Sequence, residues 1–498
     1  MSAAKKVIFD RFNGGISDDP REQNRNQFVA SGHFDIYSNP RRLTPYRSSE
    51  EDTNTNTLEQ YEIHDYWESS SSGRLYGMGR QTSFNRPKIF YKTNANVASG
   101  TWTLPATAEG GATRKEGCFF EWAGAMWMFS GTTNVSKWVV DSTFTDTVAS
   151  VGESITSVAQ GVISKRDNNA YMFYNDKVVR IDASGNVTDD VVPLPEGYTI
   201  TSADTWGNYI VISMVSYLGS GGLGDSIAVL WDPTLSNFSD ILDIGDGEAK
   251  VVANIEGFIT VAVDVSMSNS LSIDGGKLAI RLSTGGTFWT EKEIKNDTII
   301  VGGLFLRTKV IKDFKLHFAA QLKYEGSTYQ GIWAFGRKSP RDPFALSLAI
   351  VEENANTTNA IQGFGNIGNY WFTTVNGDGT IYKTDNSANY TFTSFIETQK
   401  FNAGEKRTKK NVLSFFLTCP ALPSGGSLVL KYRKDEEASY STVITETTDN
   451  AVESSIGGLG VAMPLGYEIQ LKLESTGGAE ADSYGFIYRD VTSAVAED

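Results

Sequence analysis

Cysteine and histidine are nearly absent from this sequence, which has two cysteines and three histidines among 498 residues. Cys118 and Cys419 lie far apart, so they provide neither a disulfide framework nor the spacing of metal ligands. His33, His64 and His317 belong to no HExxH motif and to no cluster of cysteine and histidine. We therefore expect no metal site and no cofactor.

Long apolar segments are also missing. No apolar run approaches the roughly 18 residues that a membrane-spanning helix needs, so we expect no membrane span. The opening residues MSAAKKVIFDRF lack the apolar core of a secretory signal peptide, and synthesis in a cytoplasm is the expectation. Because no useful stretch shows a 3.6-residue apolar period, the sequence predicts a mainly β protein.

The charge balance excludes one broad class of function. The formal net charge is −15, which argues against a general nucleic-acid-binding surface. Hydrophobic residues make up 40% of the chain and glycines number 48. That composition is typical of a folded protein rich in strands and turns, with enough apolar side chains for large cores.

Motifs for catalysis are equally scarce. GSGGLG at 219–224 matches a nucleotide-binding pattern but lies between two apolar strands with no helix after it, so it predicts a hairpin loop. NGDGT at 376–380 lacks the ligand spacing of a calcium loop. We predict no catalytic residue and no enzyme activity. A glycosidase, which needs a pair of carboxylates, remains the enzymatic alternative.

One pattern recurs through the middle of the chain: a turn residue, an apolar strand, a loop and a second apolar strand. SGRLYGMG followed by KIFYKT is the first copy, and IGNYWFTT followed by TIYKTD is the seventh. The turn residues are spaced 39 to 56 residues apart, and they are Gly73, Gly124, Asn169, Asn208, Gly257, Asp313 and Asn369. Such a period predicts a β-propeller of seven blades, with six and eight as alternatives.

Beyond about residue 393 the strands become short and closely spaced. NVLSFFLTC, GSLVLKYR and YEIQLKLES are separated by glycine-rich turns, which is typical of a small antiparallel β-sandwich. The predicted domains are an irregular, extended N-terminal arm over 1–70, the propeller over 71–392 and the C-terminal sandwich over 393–498.

Two segments are candidates for assembly contacts. The first is the N-terminal arm, with FNGGISDDPR at 12–21 and HFDIYSNPRRLTPYR at 33–47. The second is the basic stretch KFNAGEKRTKK at 400–410. A solvated edge is one reading of the basic stretch, and a contact with an acidic neighbour, such as another copy of the chain, is the other. Its candidate contact residues are Lys406, Arg407, Lys409 and Lys410.

The layout resembles a class of tailed-bacteriophage virion proteins. These proteins begin with an F-x-GG-hydrophobic segment, continue with an NFDI-type stretch, and end with propeller repeats and a β-sandwich. The glycine that usually precedes the leucine of the second stretch is replaced by Arg41 and Arg42. The matching residues are Phe12, Gly14, Gly15, Ile16 and Ser17, then Phe34, Asp35 and Ile36, then Pro40, Arg41, Leu43, Pro45 and Tyr46.

This resemblance implies a non-catalytic structural role in the virion, in a hub- or nozzle-like ring of the tail or neck. The implied partners are other copies of the chain, portal or adaptor proteins and tail fibres. DNA would pass without specific binding, because negative walls do not hold DNA. The N-terminal arm would lace around its own propeller, close the ring of blades or reach a neighbouring subunit, anchored by the charge-assisted hydrogen bonds of Arg41, Arg42 and Arg47. Phe12, Gly14 and Gly15 are further candidate contact residues of the arm.

Three alternatives stay open. One is an adhesin at the tail tip or baseplate, which would need exposed aromatic and polar side chains gathered on one propeller face to bind host glycan. The second is the propeller glycosidase, and the third is a cellular propeller scaffold outside any virus.

Overall fold

The computed structural model of the protein is all-β over the residues that it describes. These are 3–16, 27–52, 61–69, 71–81, 86–95, 97–113, 115, 117–218, 222–265, 278–294, 299–324, 327–355, 360–375, 380–384, 390–402, 408–448, 452–457 and 463–491. Within these ranges no helix has the length and apolar character needed to cross a bilayer. The mainly β, propeller-containing fold predicted from the sequence is confirmed.

The chain forms two compact units whose boundaries differ from the predicted domains. The propeller unit contains residues 49–332 and 352–386, and the sandwich unit contains residues 1–48, 333–351 and 387–498. The segment 49–70, predicted as part of the arm, therefore belongs to the propeller unit. The segment 333–351, predicted as propeller, belongs to the sandwich unit, and the boundary falls inside the strand Ser327–Gly336.

In the described part of the chain, the propeller unit contains seven blades, and the strands of each are given from the innermost outward. Blade 1 contains Tyr61–Ser69, Arg74–Gln81 and Pro87–Thr93. Blade 2 contains Phe120–Trp122, Ala125–Ser130, Asn134–Val139 and Phe144–Ser150. Blade 3 contains Val158–Ser164, Asn169–Tyr174, Lys177–Ile181 and Val187–Thr188. Blade 4 contains Tyr198–Trp206, Tyr209–Leu218, Gly222–Trp231 and Asp240–Asp246.

The remaining blades follow the same antiparallel order. Blade 5 contains Glu248–Ile255, Phe258–Asp264, Leu278–Ser283 and Trp289–Ile294. Blade 6 contains Ile299–Lys312, Lys315–Tyr324 and Ser327–Gly336. Blade 7 contains Ile361–Ile367, Tyr370–Val375, Ile381–Thr384 and Ser49–Glu51. The inner strand of each blade contacts the inner strands of its two neighbours, and blade 7 contacts blade 1, so the ring is closed.

Closure uses a strand from the beginning of the chain. Ser49–Glu51 precedes blade 1 in sequence, yet it pairs antiparallel with Ile381–Thr384 as the outermost strand of blade 7. Apolar side chains fill the gaps between blades. At the seam of blades 1 and 7, the Trp102 ring lies edge-on to Phe90 and Phe372, with ring centroids 5.3 and 5.5 Å away. A blade buries its faces against its neighbours in this way, which a single sheet cannot do alone.

Two large sheets and one short pair of strands form the described part of the sandwich unit. In the first sheet, the strands follow the order Lys5–Phe9, Ser483–Val491, Lys409–Cys419 and Val452–Gly457. Leu465–Gly466 also pairs with Lys409–Cys419. In the second sheet, the strands that belong to this unit follow the order Ala345–Val351, Phe28–Gly32, Ser394–Thr398, Ile469–Thr476, Ser427–Lys434 and Ser441–Glu446. Phe34–Asp35 and Thr44–Pro45 form a separate short pair. Rings from the two sheets meet in the core, where Phe415 stacks on Tyr432 at 5.1 Å.

The N-terminal segment is less irregular than the sequence predicts. Lys5–Phe9 pairs with the last strand of the chain, and Phe28–Gly32 lies between Ala345–Val351 and Ser394–Thr398. The pairing of Phe28–Gly32 with Ala345–Val351 is parallel, as is the isolated bridge between Ile16 and Phe28. The other strand pairings described for this unit are antiparallel. Such short strands gain their order from sheets built by distant parts of the chain, so they leave a weak local pattern.

Candidate functional site

The glycine pair of the FNGGIS segment packs against an inserted strand of the same unit. The backbone N–H of Ile16 donates to the carbonyl of Leu346 at 2.8 Å. Gly15 has φ +73°, and a Cβ at this position would lie 2.5 Å from the Leu346 nitrogen and 2.9 Å from the Ala345 Cβ. Only glycine combines a left-handed backbone with such a close approach of two segments of the chain. Gly15 therefore joins the N-terminal segment to the strand Ala345–Val351.

Phe12 and Gly14 are buried beside this junction. The ring of Phe12 stacks on Tyr484 with centroids 6.1 Å apart, and its backbone N–H donates to the carbonyl of Pro40 at 2.9 Å. Gly14 is also buried. These candidate contact residues thus lie in the interior of the sandwich unit, where they hold the two N-terminal stretches together.

The FDIYSNP stretch forms a turn held by its own aspartate. Oδ1 of Asp35 accepts hydrogen bonds from the backbone N–H groups of Tyr37 at 2.9 Å and Ser38 at 3.0 Å. The buried Tyr37 hydroxyl donates to the carbonyl of Ala334 at 2.7 Å. Burial raises the pKa of Tyr37, and the hydroxyl stays protonated. The turn therefore fixes this stretch against the inserted segment 333–351.

The three candidate arginines have different environments. Nε of Arg42 donates to Oδ1 of Asp482 at 2.6 Å, and a terminal nitrogen lies 3.3 Å from Glu480. The hydrogen bond to Asp482 is the main reason that the pKa of Arg42 is raised. Arg41 is exposed and Arg47 is partly buried. Arg42 thus anchors the N-terminal segment within its own chain, whereas Arg41 faces solvent.

The two described lysines at the end of the basic stretch 400–410 have different surroundings. Lys409 is exposed, with Nζ 5.3 Å from the centroid of the Tyr467 ring. Lys410 is buried, and its Nζ donates to the carbonyl of Thr408 at 2.7 Å. Lys406 and Arg407 lie outside the described residues. Of the two described lysines, Lys409 is therefore the one available at the surface.

The propeller unit has a central channel lined by its inner strands. Near the start of these strands lies a cavity of about 700 Å³, whose lining includes His64, Arg307 and Gln362. Near their ends lies a second cavity of about 290 Å³, whose lining includes Glu68 and Lys309. These are the concave sites where a propeller would hold a ligand or substrate.

Lys309 projects from blade 6 and links it to blades 4 and 5. Its Nζ donates to the carbonyls of Ala203 at 2.7 Å and Val252 at 2.5 Å, and lies 3.3 Å from Asp204. Burial lowers the pKa of Lys309, and the nearby Asp204 opposes this effect. Because an ammonium has three hydrogens, these contacts use its full donor capacity.

Arg307, on the same strand as Lys309, makes a second link between blades. Its terminal nitrogens donate to Oγ of Ser157 in blade 3 and to Oε1 of Glu248 in blade 5, both at 3.0 Å. Burial alone would raise the pKa of Glu248, but Lys250 and Arg307 together hold it below its usual value. The charged groups of the channel therefore act as links between blades.

The acidic side chains around the channel have described partners or a shifted pKa. Within the described part of the chain, no group of three or more histidine, cysteine or acidic residues has the arrangement of a metal site. Asp65 accepts the N–H of Gly117 at 2.7 Å, and Asp204 accepts the N–H of Asn254 at 2.9 Å. Burial raises the pKa of Glu68. Most of these carboxylates thus hold the backbone or a cation of the propeller itself.

Sequence reasoning did not single out Arg307 or Lys309. Their only signal is RTK, an alternating pair of cations in a strand whose other residues are mostly apolar. It also missed Asp52, Glu480 and Asp482, because an acidic residue becomes an anchor only when the fold brings a cation to it.

No protein-family model matches the sequence, and no curated protein matches it. Among solved structures, hydrazine synthase from Kuenenia stuttgartiensis is similar at 10% identity and TM-score 0.43, covering 65% of this chain and 95% of that one. The Dos1 propeller has 8% identity and TM-score 0.42, with 68% and 95% covered. BamB from Moraxella catarrhalis has 10% identity and TM-score 0.35, with 65% and 83% covered.

Proposed function

We propose that the protein is a non-catalytic structural component of a tailed-phage virion, part of a hub- or nozzle-like ring in the tail or neck through which DNA exits. The single observation that carries the proposal is the junction around Gly15. The residues that carry the sequence resemblance, Phe12, Gly15, Ile16 and the stretch around Asp35, are the same residues that join the N-terminal segment to the inserted strand and to the last strand of the sandwich unit.

The chemistry of the channel supports a framework role. Arg307 and Lys309 of blade 6 are held by blades 3, 4 and 5, and carboxylates that a hydrolase would need are engaged with backbone N–H groups or cations. An acidic chain of net charge −15 also suits a conduit, because it repels the DNA that must pass. We infer assembly with other copies and with other tail or neck proteins, and location in the virion after synthesis in the host cytoplasm.

The decisive test is made on particles. In a phage that encodes this chain, the gene is disrupted, and particles are purified from complemented and uncomplemented lysates. Mass spectrometry should find the protein in complemented virions at several copies per particle, and electron microscopy should show defective tails without it. Intact, infectious particles that lack the protein would refute the virion role.

A second test uses the purified protein. Light scattering at low and high salt should give a closed oligomer, or a monomer that assembles when tail partners are added. Mobility-shift assays at low salt should show no retention of duplex DNA. Salt-sensitive DNA binding at micromolar protein would contradict a conduit that lets DNA slide through.

One observation favours an adhesin as the second candidate. Phe314 has 75% of its surface exposed, at a hairpin tip where its backbone has φ +58°. A strained, left-handed backbone at a non-glycine residue is a feature that clusters at binding sites. A glycan array would test this reading, and binding that Phe314→Ala abolishes would favour the adhesin.

A further inference from the structure

The first sheet of the sandwich unit has one face in the core and one face outside. Along its strand Ser483–Val491, the side chains of Tyr484, Phe486 and Tyr488 are buried. Arg489 and Val491 are exposed. Because side chains alternate along a strand, Arg489 and Val491 belong to the face opposite to Tyr488.

Neighbouring strands add to this outer face. Lys6 and Ile8 are paired with Ile487 and Gly485, which also alternate with the buried side chains. Lys409 is paired with Val491, and Leu465 is opposite Asn411, which is paired with Arg489. We call this surface the cationic face, and its residues are Lys6, Ile8, Lys409, Leu465, Arg489 and Val491.

The cationic face combines exposed apolar groups with a single sign of charge. Ile8 and Leu465 are each 45% exposed and Val491 is 42% exposed. Among the described residues, the three strands Lys5–Phe9, Lys409–Cys419 and Ser483–Val491 place no acidic side chain on this face. The fourth strand of the sheet adds the exposed Glu453, which pairs with Thr418 at the end of Lys409–Cys419 that lies away from Lys409. On a chain of net charge −15, such a face is suited to an acidic partner.

Two of its cations lie over aromatic rings. Nζ of Lys6 is 4.3 Å from the centroid of Phe416, and Nζ of Lys409 is 5.3 Å from that of Tyr467. These contacts hold the ammonium groups close to the sheet, so less side-chain entropy is lost when a partner binds. In addition, Lys5–Phe9 is an outermost strand of its sheet in the described part of the chain, which leaves one backbone edge for pairing.

The chain itself carries a complementary strand. Asp240–Asp246 is the outermost strand of blade 4, and Asp240, Asp243 and Asp246 are exposed along it. Ile241 between them is 41% exposed. We call this strand the acidic edge. Like Lys5–Phe9, it is an outer strand that combines charge of one sign with an exposed isoleucine.

We propose that the cationic face and its edge strand Lys5–Phe9 dock on the acidic edge of a second copy of this chain. The contact is heterologous, since it joins different surfaces of the two copies, and repetition around a closing rotation generates a ring. The inference rests on the proposed function, to which it adds the surfaces through which copies would meet.

The test uses two one-sided variants of the full chain. The face variant is Lys6→Glu with Arg489→Glu, and the edge variant is Asp240→Lys with Asp243→Lys. Wild type should exceed the 54.4 kDa monomer mass in light scattering at about 50 mM salt and should dissociate as salt rises. Each variant alone should be a monomer. An equimolar mixture should regain oligomers of the wild-type size, because the native face of the edge variant meets the native edge of the face variant and the two charge-reversed surfaces complement each other.

Controls keep the outcome interpretable. Lys165→Glu reverses an exposed charge elsewhere, in the first hairpin of blade 3, and should leave assembly unchanged. Thermal melting checks that the face variant folds; if it does not, Lys409→Glu with Arg489→Glu replaces it. Wild type that stays monomeric, or that recruits only a different acidic protein, overturns the contact. A ring that either variant still forms on its own also overturns the contact, while the virion role stands.

Discussion

The imidazole Nδ1 of His33 accepts a hydrogen bond from the backbone N–H of Val351 at 3.1 Å, across 318 residues of sequence. His33 is buried and has φ +67°, a left-handed conformation. Its carbonyl accepts the N–H of Tyr46 at 2.9 Å and the hydroxyl of Ser394 at 3.0 Å. One residue thus joins the N-terminal segment, the inserted strand and the C-terminal strands of the sandwich unit.

This arrangement requires a neutral imidazole and makes stability depend on pH. Burial lowers the pKa of His33 to about 3, against 6.5 for a free side chain. Protonation therefore favours the unfolded state: the contribution of His33 is complete above pH 6.5 and is lost as pH falls from 6.5 toward 3. Between pH 7.5 and 5.5, His33 should account for a loss of about 1.4 kcal/mol in the free energy of unfolding.

Nuclear magnetic resonance and thermal melting would check this prediction. The chain has only three histidines, so their imidazole signals can be assigned by substitution. The His33 signal should show no titration between pH 7.5 and 5. His33→Asn, whose side chain tolerates a left-handed backbone, should be less stable at pH 7.5 and should show a shallower pH dependence. A His33 midpoint near 6.5 would contradict a buried neutral imidazole.

Replacing Gly15 by alanine should destabilise the sandwich unit strongly. The substitution places a Cβ 2.5 Å from the Leu346 nitrogen and forces a non-glycine residue to φ +73°. Strain and steric conflict together should cost roughly 2–4 kcal/mol. Gly286→Ala is the matched control, because its Cβ would meet nothing within 4 Å, and its effect should stay within about 0.5 kcal/mol. Equal melting temperatures for the two variants would exclude the close approach at Gly15.

Adjacent arginines should differ in their effect on folding. Arg42→Ala removes the ion pairs with Asp482 and Glu480, in which all three side chains remain about one-third exposed. Solvent screening limits the expected loss to about 0.5–1 kcal/mol. Arg41→Ala should leave the free energy of unfolding unchanged, since Arg41 is exposed. Denaturant titrations at low and 1 M salt would measure both, and the Arg42 effect should shrink at high salt; a salt-independent effect would point to packing instead.

The strands that the sequence predicted best are the second and third of each blade. They are rich in buried apolar residues, and a tight turn precedes the second strand: Gly124 and Gly257 both have positive φ in the first hairpin of their blades. The inner and outer strands were harder to predict. Val187–Thr188 has two residues, and Ile299–Lys312 carries the polar run that lines the channel. Their identity depends on the neighbouring blade more than on local propensity.

Pairings between distant segments could not be predicted. Lys5–Phe9 pairs with residues near 486, and Ser49–Glu51 with residues near 382. Nothing in a short strand specifies which remote edge it joins, because register follows from the assembled sheets. The same limit applies to the candidate site. The sequence singled out Gly15 and Arg42, but their partners Leu346 and Asp482 emerge only from the fold.

The ring closure provides the last prediction, at Asp52. This buried carboxylate follows the closing strand Ser49–Glu51, accepts hydrogen bonds from Lys92 and from Nε1 of Trp102 at 3.1 Å, and lies 3.5 Å from Lys383. Its backbone N–H also donates to the carbonyl of Ile381 at 2.8 Å. Asp52 thus joins blade 1 to blade 7 with the help of two lysines whose side chains are almost completely buried.

Asp52→Asn should therefore destabilise the propeller unit by about 3–5 kcal/mol, because it leaves buried ammonium groups without their counter-charge. Glu51→Gln, an exposed change on the same strand, should have an effect within about 0.5 kcal/mol. Adding Lys92→Met to Asp52→Asn removes one of the uncompensated charges and should recover part of the loss, as measured by calorimetry. If Asp52→Asn and Glu51→Gln melt at the same temperature, the ring must be closed by apolar packing around Trp102 and by the strand pairing alone.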